Sequence, residues 1–180
     1  MIIVDTSRAA ISYAAHKWAV LPSWWIEDGR CACGAKACPS PGKHPILPGG
    51  WKVGSTEEDA VVRAWIDYPD ANIAIATGAP SNLLVLDVDD RHDGSESLSD
   101  IEHEFGPLPR TPRVITGGGV HYYFQYPGFA VPSTVALAPG IDIRATGGLV
   151  IAPPSMHISG KRYIWDVDTP PKTTLLAPTP

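Results

Sequence analysis

Leu83-Leu84-Val85-Leu86-Asp87-Val88-Asp89 fixes more of this chain's architecture than any other stretch. Four apolar residues are followed by two carboxylates with one valine between them. A run this short and this apolar reads as a buried strand. Side chains alternate faces along a strand, so Asp87 and Asp89 point the same way. Two like charges at that spacing repel unless a cation lies between them, and an oxygen-only ligand pair suits Mg²⁺ or Mn²⁺. The competing reading is a strand that simply ends in a polar turn, since Asp90, Arg91, His92, Asp93 and Gly94 follow at once.

The rest of the composition limits what surrounds this strand. At 180 residues with 44% hydrophobic content, one domain with an ordinary core is expected. A net charge of −5 argues against indiscriminate nucleic-acid binding, while leaving room for a local basic groove. No run of 18 apolar residues and no charged-then-apolar leader is present, so neither a membrane span nor a secretion signal is expected. Three cysteines in such a chain point to a reducing, cytoplasmic compartment rather than a disulfide framework. The 19 prolines and 17 glycines imply many short elements joined by fixed turns. The end, Ala177-Pro178-Thr179-Pro180, reads as the start of a linker to a longer protein.

In chain order, Asp5 or Thr6 can cap a helix over Ser7–His16. Trp18–Leu21 is a strand candidate ended by Pro22. Ser55 and Thr56 start a helix that runs to about Asp67, with acidic residues in its first turn. Asn72–Ala76 reads as a strand. The short turn Ala79–Asn82 predicts that it pairs antiparallel with the acidic strand. Ser95–Phe105 reads as a surface helix. Val114–Thr116, Val120–Phe124, Gly140–Arg144 and Tyr163–Trp165 are further strand candidates, and Gly147–Ser155 reads as a buried strand ending in a rigid turn.

Cys31, Cys33, Cys38 and His44 form the pattern C-x-C-x4-C-x5-H. Three thiolates and one imidazole are a closed four-ligand set of the kind structural Zn²⁺ sites use. Unrelated loop cysteines, or a disulfide with one thiol left over, are the alternatives. Gly117-Gly118-Gly119 allows either a plain hairpin turn or backbone N–H groups aimed at an anion. His121, just beyond, fits a hydrogen-bonded core position or a functional one. In Gly140–Arg144, Asp142 and Arg144 share the face opposite the two isoleucines. They fit a solvated pair, or a third carboxylate beside a phosphate-binding arginine. Lys43 fits a phosphate contact or an ordinary solvated lysine. Tyr122 and Tyr123 alternate faces, so at most one can stack on a base.

Taken together, these motifs resemble the prim-pol domain at the N-terminus of phage and plasmid replication proteins, within the archaeo-eukaryotic primase superfamily. The resemblance runs from Tyr13-Ala14-Ala15 through Gly42-Lys43-His44-Pro45, Gly50-Trp51, Ala71-Asn72-Ile73, Ala76-Thr77-Gly78 and Leu86-Asp87-Val88-Asp89. It continues through Thr116 to His121 and Pro139 to Arg144, and ends at Gly147-Gly148 with Ala152 to His157. It implies an α/β (α+β) fold: a mixed, largely antiparallel central sheet flanked by helices, over residues 1–170. Residues 30–46 would be a zinc-knuckle insert, and residues 171–180 a tail or linker.

By position, the resemblance makes Asp87, Asp89 and Asp142 the acids for two catalytic Mg²⁺ or Mn²⁺ ions, and His121 the catalytic histidine. Thr116, Gly117, Gly118 and Gly119, with His121, Arg144, Ser155 and His157, would bind the nucleotide. Many members have serine where Gly119 stands, so a hydroxyl contact to the triphosphate falls to Thr116. The implied partners are a single-stranded DNA template and primer, dNTPs or NTPs, and a helicase module, in a bacterial host's cytoplasm. A metal-dependent phosphodiesterase or nuclease, and a non-catalytic nucleic-acid-binding domain, are the rival function classes.

Overall fold

The computed structural model describes residues 6–180. Asp5, one of the two expected helix caps, lies outside the described residues. The elements run α1 (Thr6–Ala15), β1 (Val20–Ser23), β2 (Ile26–Glu27), β3 (Arg30–Cys31), α2 (Glu58–Asp67), β4 (Asn72–Ala76) and β5 (Leu83–Asp89). After them come α3 (Gly94–Phe105), β6 (Arg113–Ile115), β7 (Gly119–Gln125), β8 (Thr134–Ala138), β9 (Ile141–Arg144), β10 (Leu149–Ala152), β11 (Ile164–Trp165) and β12 (Ala177–Pro178). The fold is mixed α+β with antiparallel sheets, in line with the sequence reading. No helix among the described residues is long and apolar enough to cross a membrane.

The strands make a large sheet ordered β11-β6-β7-β5-β9-β8 and a small one ordered β1-β4-β10, beside a β2-β3 ribbon. In the large sheet, β5 has both edges occupied, by β7 and β9. Its two faces differ. Leu84, Leu86 and Val88 pack with Phe124, Ile141, Ile143 and Leu98 of α3. On the other face Leu83 and Val85 join Tyr123, Val114 and the small sheet's Ile73 and Ile75 in the main core. Each such fully buried side chain contributes about 1.5–3 kcal/mol. Past Val85 that face carries Asp87 and Asp89.

Three expectations are corrected. β4 does not pair with β5 along its length; only a Gly78–Leu83 bridge joins them. Both edges of β4 are occupied by β1 and β10, so no ladder remains for β5. The link passes through a 3₁₀ turn (Ala79–Ser81) and left-handed Asn82, which carries the chain from one sheet to the other. Second, β1 runs through Pro22 rather than stopping before it. As an edge strand, β1 tolerates a residue with no N–H, and the Pro22 carbonyl accepts from Ile46 N–H at 3.1 Å. Third, the segment read as a tail folds back. Ala177 and Pro178 pair parallel with Phe124 and Gln125 of β7, in the place that β6 vacates.

Candidate active site

The register of three strands builds the site. Asp87 on β5 stands directly opposite His121 on β7 and Asp142 on β9, so an acid, an acid and an imidazole form one row across the sheet. Directly opposed residues have Cβ atoms about 4.5–5.5 Å apart, close enough for their side chains to interact. His121 Nε2 lies 3.3 Å from Asp87 Oδ1. Arg144 Nη2 lies 3.4 Å from Asp87 Oδ2 and 2.6 Å from Asp142 Oδ2, bridging the two carboxylates. Asp89, one repeat further along the same face, accepts from Arg91 Nε at 2.9 Å and from Arg91 Nη2 at 2.6 Å.

A bulge shapes the open side of the row. β8 pairs with β9 at Thr134–Ile143 and Ala138–Ile141, so residues 135–137 stand opposite Asp142 alone. The extra residues bend the strand. They put Ala136 at φ 55°, and its N–H donates to Asp142 Oδ1 at 2.7 Å. The row opens into a cleft of about 420 Å³ lined by Asp87, Asp89, Asp142, His121, Arg91, Arg144, Lys43, Thr116, Gly118, His157 and Tyr163, among others. A recess of about 330 Å³ adjoins it, sharing Lys43, Asp87, His121, Arg144 and Tyr163 and bounded by Gly147–Ile151 of the small sheet.

Beside the cleft, the ligand atoms of Cys31, Cys33, Cys38 and His44 all lie within 4.8 Å of one another. His44 Nε2 is 3.5 Å from Cys31 Sγ and 3.4 Å from Cys38 Sγ. Tetrahedral zinc, with bonds of about 2.3 Å to sulfur and 2.0–2.1 Å to nitrogen, sets that edge at about 3.6 Å. All three cysteines are free thiols, which removes the disulfide alternative. Burial pushes the Cys31 thiol up, but hydrogen bonds from the Cys33 and Gly42 N–H groups and from His44 and Cys33 side chains outweigh it and bring it to about 7. Four donors of this type could hold a zinc ion.

The N-terminal domain model of bifunctional DNA primase/polymerases matches residues 10–180, nearly the whole chain. The chain belongs to the Prim-Pol family. Membership implies DNA primase/polymerase activity on DNA and nucleotide substrates. A search of curated proteins finds no match to the chain.

Electrostatics in this Prim-Pol cleft favour the charged forms of Asp87 and Asp89. Burial pushes the Asp87 carboxyl up, but the His121 hydrogen bond and charge, with Arg144 and Lys43, more than offset it and leave it below the usual range. The Arg91 hydrogen bonds hold Asp89 well below that range. Burial, with Lys43 and Arg91 nearby, lowers the pKa of His157. Ser159 N–H donates to His157 Nδ1 at 3.1 Å. That pattern assigns the neutral ring's proton to Nε2.

The triple glycine forms the β6–β7 hairpin turn, closed by the Thr116 N–H donating to the Gly119 carbonyl at 2.9 Å. None of Gly117, Gly118 and Gly119 adopts a left-handed φ. What each needs is the absence of a Cβ. One on Gly117 would sit 1.9 Å from His157 Nδ1, one on Gly118 2.7 Å from Arg91 Nε, and one on Gly119 1.9 Å from the Val88 carbonyl oxygen. The glycines therefore let His157, Arg91 and β5 close around the loop. The Gly118 N–H donates to Thr116 Oγ1 at 3.2 Å. The Thr116 hydroxyl proton stays available at the cleft wall.

Ser155 is not brought to the cleft. Its side chain is buried, and its hydroxyl oxygen accepts from Ile73 N–H at 2.8 Å, tying the 153–155 turn to β4. Tyr123 is fully buried and Tyr122 lies on the opposite face with Leu86 and Ile141, so neither borders the cleft. Arg91, His92 and Tyr163 line the cleft without having been singled out from sequence. The signal for Arg91 was its position two residues after Asp89, where a hydrogen-bonded turn returns the guanidinium to the carboxylate. Tyr163 had none, because its place depends on the chain's return from the 153–160 turns.

Proposed function

We propose that this cleft carries out template-directed nucleotidyl transfer, making and extending primers on single-stranded DNA in phage or plasmid replication. The observation that carries the reading is the row Asp142–Asp87–His121 with Asp89 beside it: three carboxylates on two adjacent strands, with a guanidinium already bridging two of them. That bridging cation marks where positive charge is favoured, and the all-oxygen donor set fits hard divalent ions such as Mg²⁺ or Mn²⁺. When bound, such ions activate a 3′-hydroxyl and neutralise the triphosphate.

The chain's own groups supply the remaining roles. Asp87, Asp89 and Asp142 hold the ions. His121, whose Nε2 faces Asp87, sits at the end of the row and exchanges that carboxylate for a phosphate of the incoming nucleotide. Arg144 exchanges its carboxylate partners for a phosphate, which its planar fork fits in bidentate fashion. Neutral His157 offers Nε2–H, and Thr116 its hydroxyl, from the loop side. A helicase module elsewhere in the full-length protein, and the cytoplasm of a bacterial host, complete the reading.

The test is primer synthesis on single-stranded DNA with dNTPs or NTPs and Mn²⁺ or Mg²⁺. New strands, with pyrophosphate released in proportion to the nucleotide incorporated, support the proposal. Template breakdown without nucleotide dependence would assign the cleft to phosphodiester hydrolysis instead.

A further inference from the structure

The Cys/His insert and the acidic cleft meet at one residue. Lys43 directly precedes His44, and its side chain lines both the cleft and the adjoining recess. Its backbone is held from two sides. On the insert side, Gly42 N–H points to Cys31 Sγ at 3.5 Å and Lys43 N–H donates to the Ser40 carbonyl at 3.0 Å. On the sheet side, Asn72 Nδ2 donates to the Gly42 carbonyl at 3.0 Å. The His44 carbonyl accepts from the Ser23 hydroxyl at 2.8 Å and from Trp24 N–H at 3.0 Å.

Among the described residues, the cleft's arginines are both committed: Arg91 to Asp89, and Arg144 to Asp87 and Asp142. Lys43 makes no ion pair with any described carboxylate, although it is half-buried in the same cleft. A half-buried ammonium beside carboxylates that already have partners is placed to meet an anion entering from solvent. A lysine provides a compact charge with three rotatable donors, which suits the phosphates of a nucleotide.

We propose that the Cys31–Cys33–Cys38–His44 centre is the device that carries Lys43 into the cleft, where Lys43 binds the phosphates of the incoming nucleotide. This rests on the nucleotide-binding reading of the cleft. The insert is thereby part of the substrate site rather than a remote staple, and loss of its metal releases a phosphate contact.

A double-mutant cycle on nucleotide binding tests it. The parent, Lys43→Ala, Cys38→Ser and the double variant are titrated calorimetrically with Mn²⁺ and a non-hydrolysable α,β-imido dATP, with zinc content and circular dichroism measured alongside. Lys43→Ala keeps its zinc and binds about tenfold or more weakly, the loss expected for one charge-assisted contact. Cys38→Ser loses zinc and binds with a similar deficit. The double variant is no weaker than either single one, because both remove the same contact. Should Cys38→Ser fail to fold, Cys33→Ser takes its place. Parental affinity in Lys43→Ala, or deficits that multiply in the double variant, would overturn the proposal. An Asp87→Asn variant separates the two levels. If it binds nucleotide and Mn²⁺ as the parent does, the reading of the cleft itself fails, and this inference with it.

Discussion

The acidic row and the Cys/His centre lie side by side but are built in opposite ways. The row is held by backbone: Asp142, Asp87 and His121 sit opposite one another because three antiparallel strands are in register, and a core of Val85, Tyr123 and Val114 locks that register. The insert has almost no regular structure, only the two-residue strand Arg30–Cys31 paired with Ile26–Glu27 just before it, and its four donors converge on a point. Strand pairing sets the geometry of the first site. In the second, a zinc ion held by the four donors would substitute for a hydrophobic core. A carboxylate site on a sheet can be chemically severe and mechanically rigid at once, whereas a thiolate site in a loop contributes rigidity only while it is loaded.

The largest effect expected from this contrast is functional. Asp87→Ala leaves the fold intact, since the row is held by strand pairing, but lowers nucleotide incorporation by at least about a thousandfold, because it removes several kcal/mol of charge organisation at the reacting phosphate. Steady-state incorporation beside circular dichroism checks it, and a folded variant with near-parental turnover breaks the account of the row. The next effect is structural and local. In Cys38→Ser, amide exchange rises sharply across residues 30–46 while β5 and β7 keep their protection. Equal loosening of both regions would show that the sheet leans on the insert.

Smaller changes sharpen the comparison within the cleft wall. Gly117→Ala places a methyl group against the His157 ring and is expected to cost about 1–3 kcal/mol in urea unfolding. Ser155→Ala leaves the buried Ile73 N–H without its acceptor, which costs about 1 kcal/mol and leaves nucleotide KM unchanged. A raised KM there would return Ser155 to the nucleotide site. The smallest effect is a pH dependence. Asp89 has a folded pKa below its unfolded value, so its contribution is complete above about pH 4 and is lost as pH falls further. The stability gap between parent and Asp89→Asn is therefore widest at pH 5–7 and narrows toward pH 2.5. A gap constant across that range would contradict the Asp89–Arg91 pairing.

How much of this was legible in the sequence follows the same division. Strand alternation was enough to put Asp87 with Asp89 and Asp142 with Arg144, because period-two patterning needs only local chemistry. The C-x-C-x4-C-x5-H spacing was enough to gather the four donors. What escaped was long-range. Nothing local says that β4 has both edges occupied, or that Ala177 returns to extend β7. Nor does anything local say that the three glycines of the β6–β7 turn also make room for His157, Arg91 and the Val88 carbonyl. The burial of Ser155 was out of reach for a similar reason: the β4 edge its hydroxyl meets comes from far along the chain.

The central claim is that the Asp142–Asp87–Asp89 group is a divalent-metal site for a nucleotide. Anomalous diffraction from crystals soaked with Mn²⁺ and α,β-imido dATP tests it most directly. The account expects manganese peaks among these three carboxylates, with Arg144 moved from Asp87 and Asp142 onto a phosphate oxygen. Crystals in which Arg144 still bridges both acids, with no manganese beside them while the nucleotide is bound elsewhere, would contradict it.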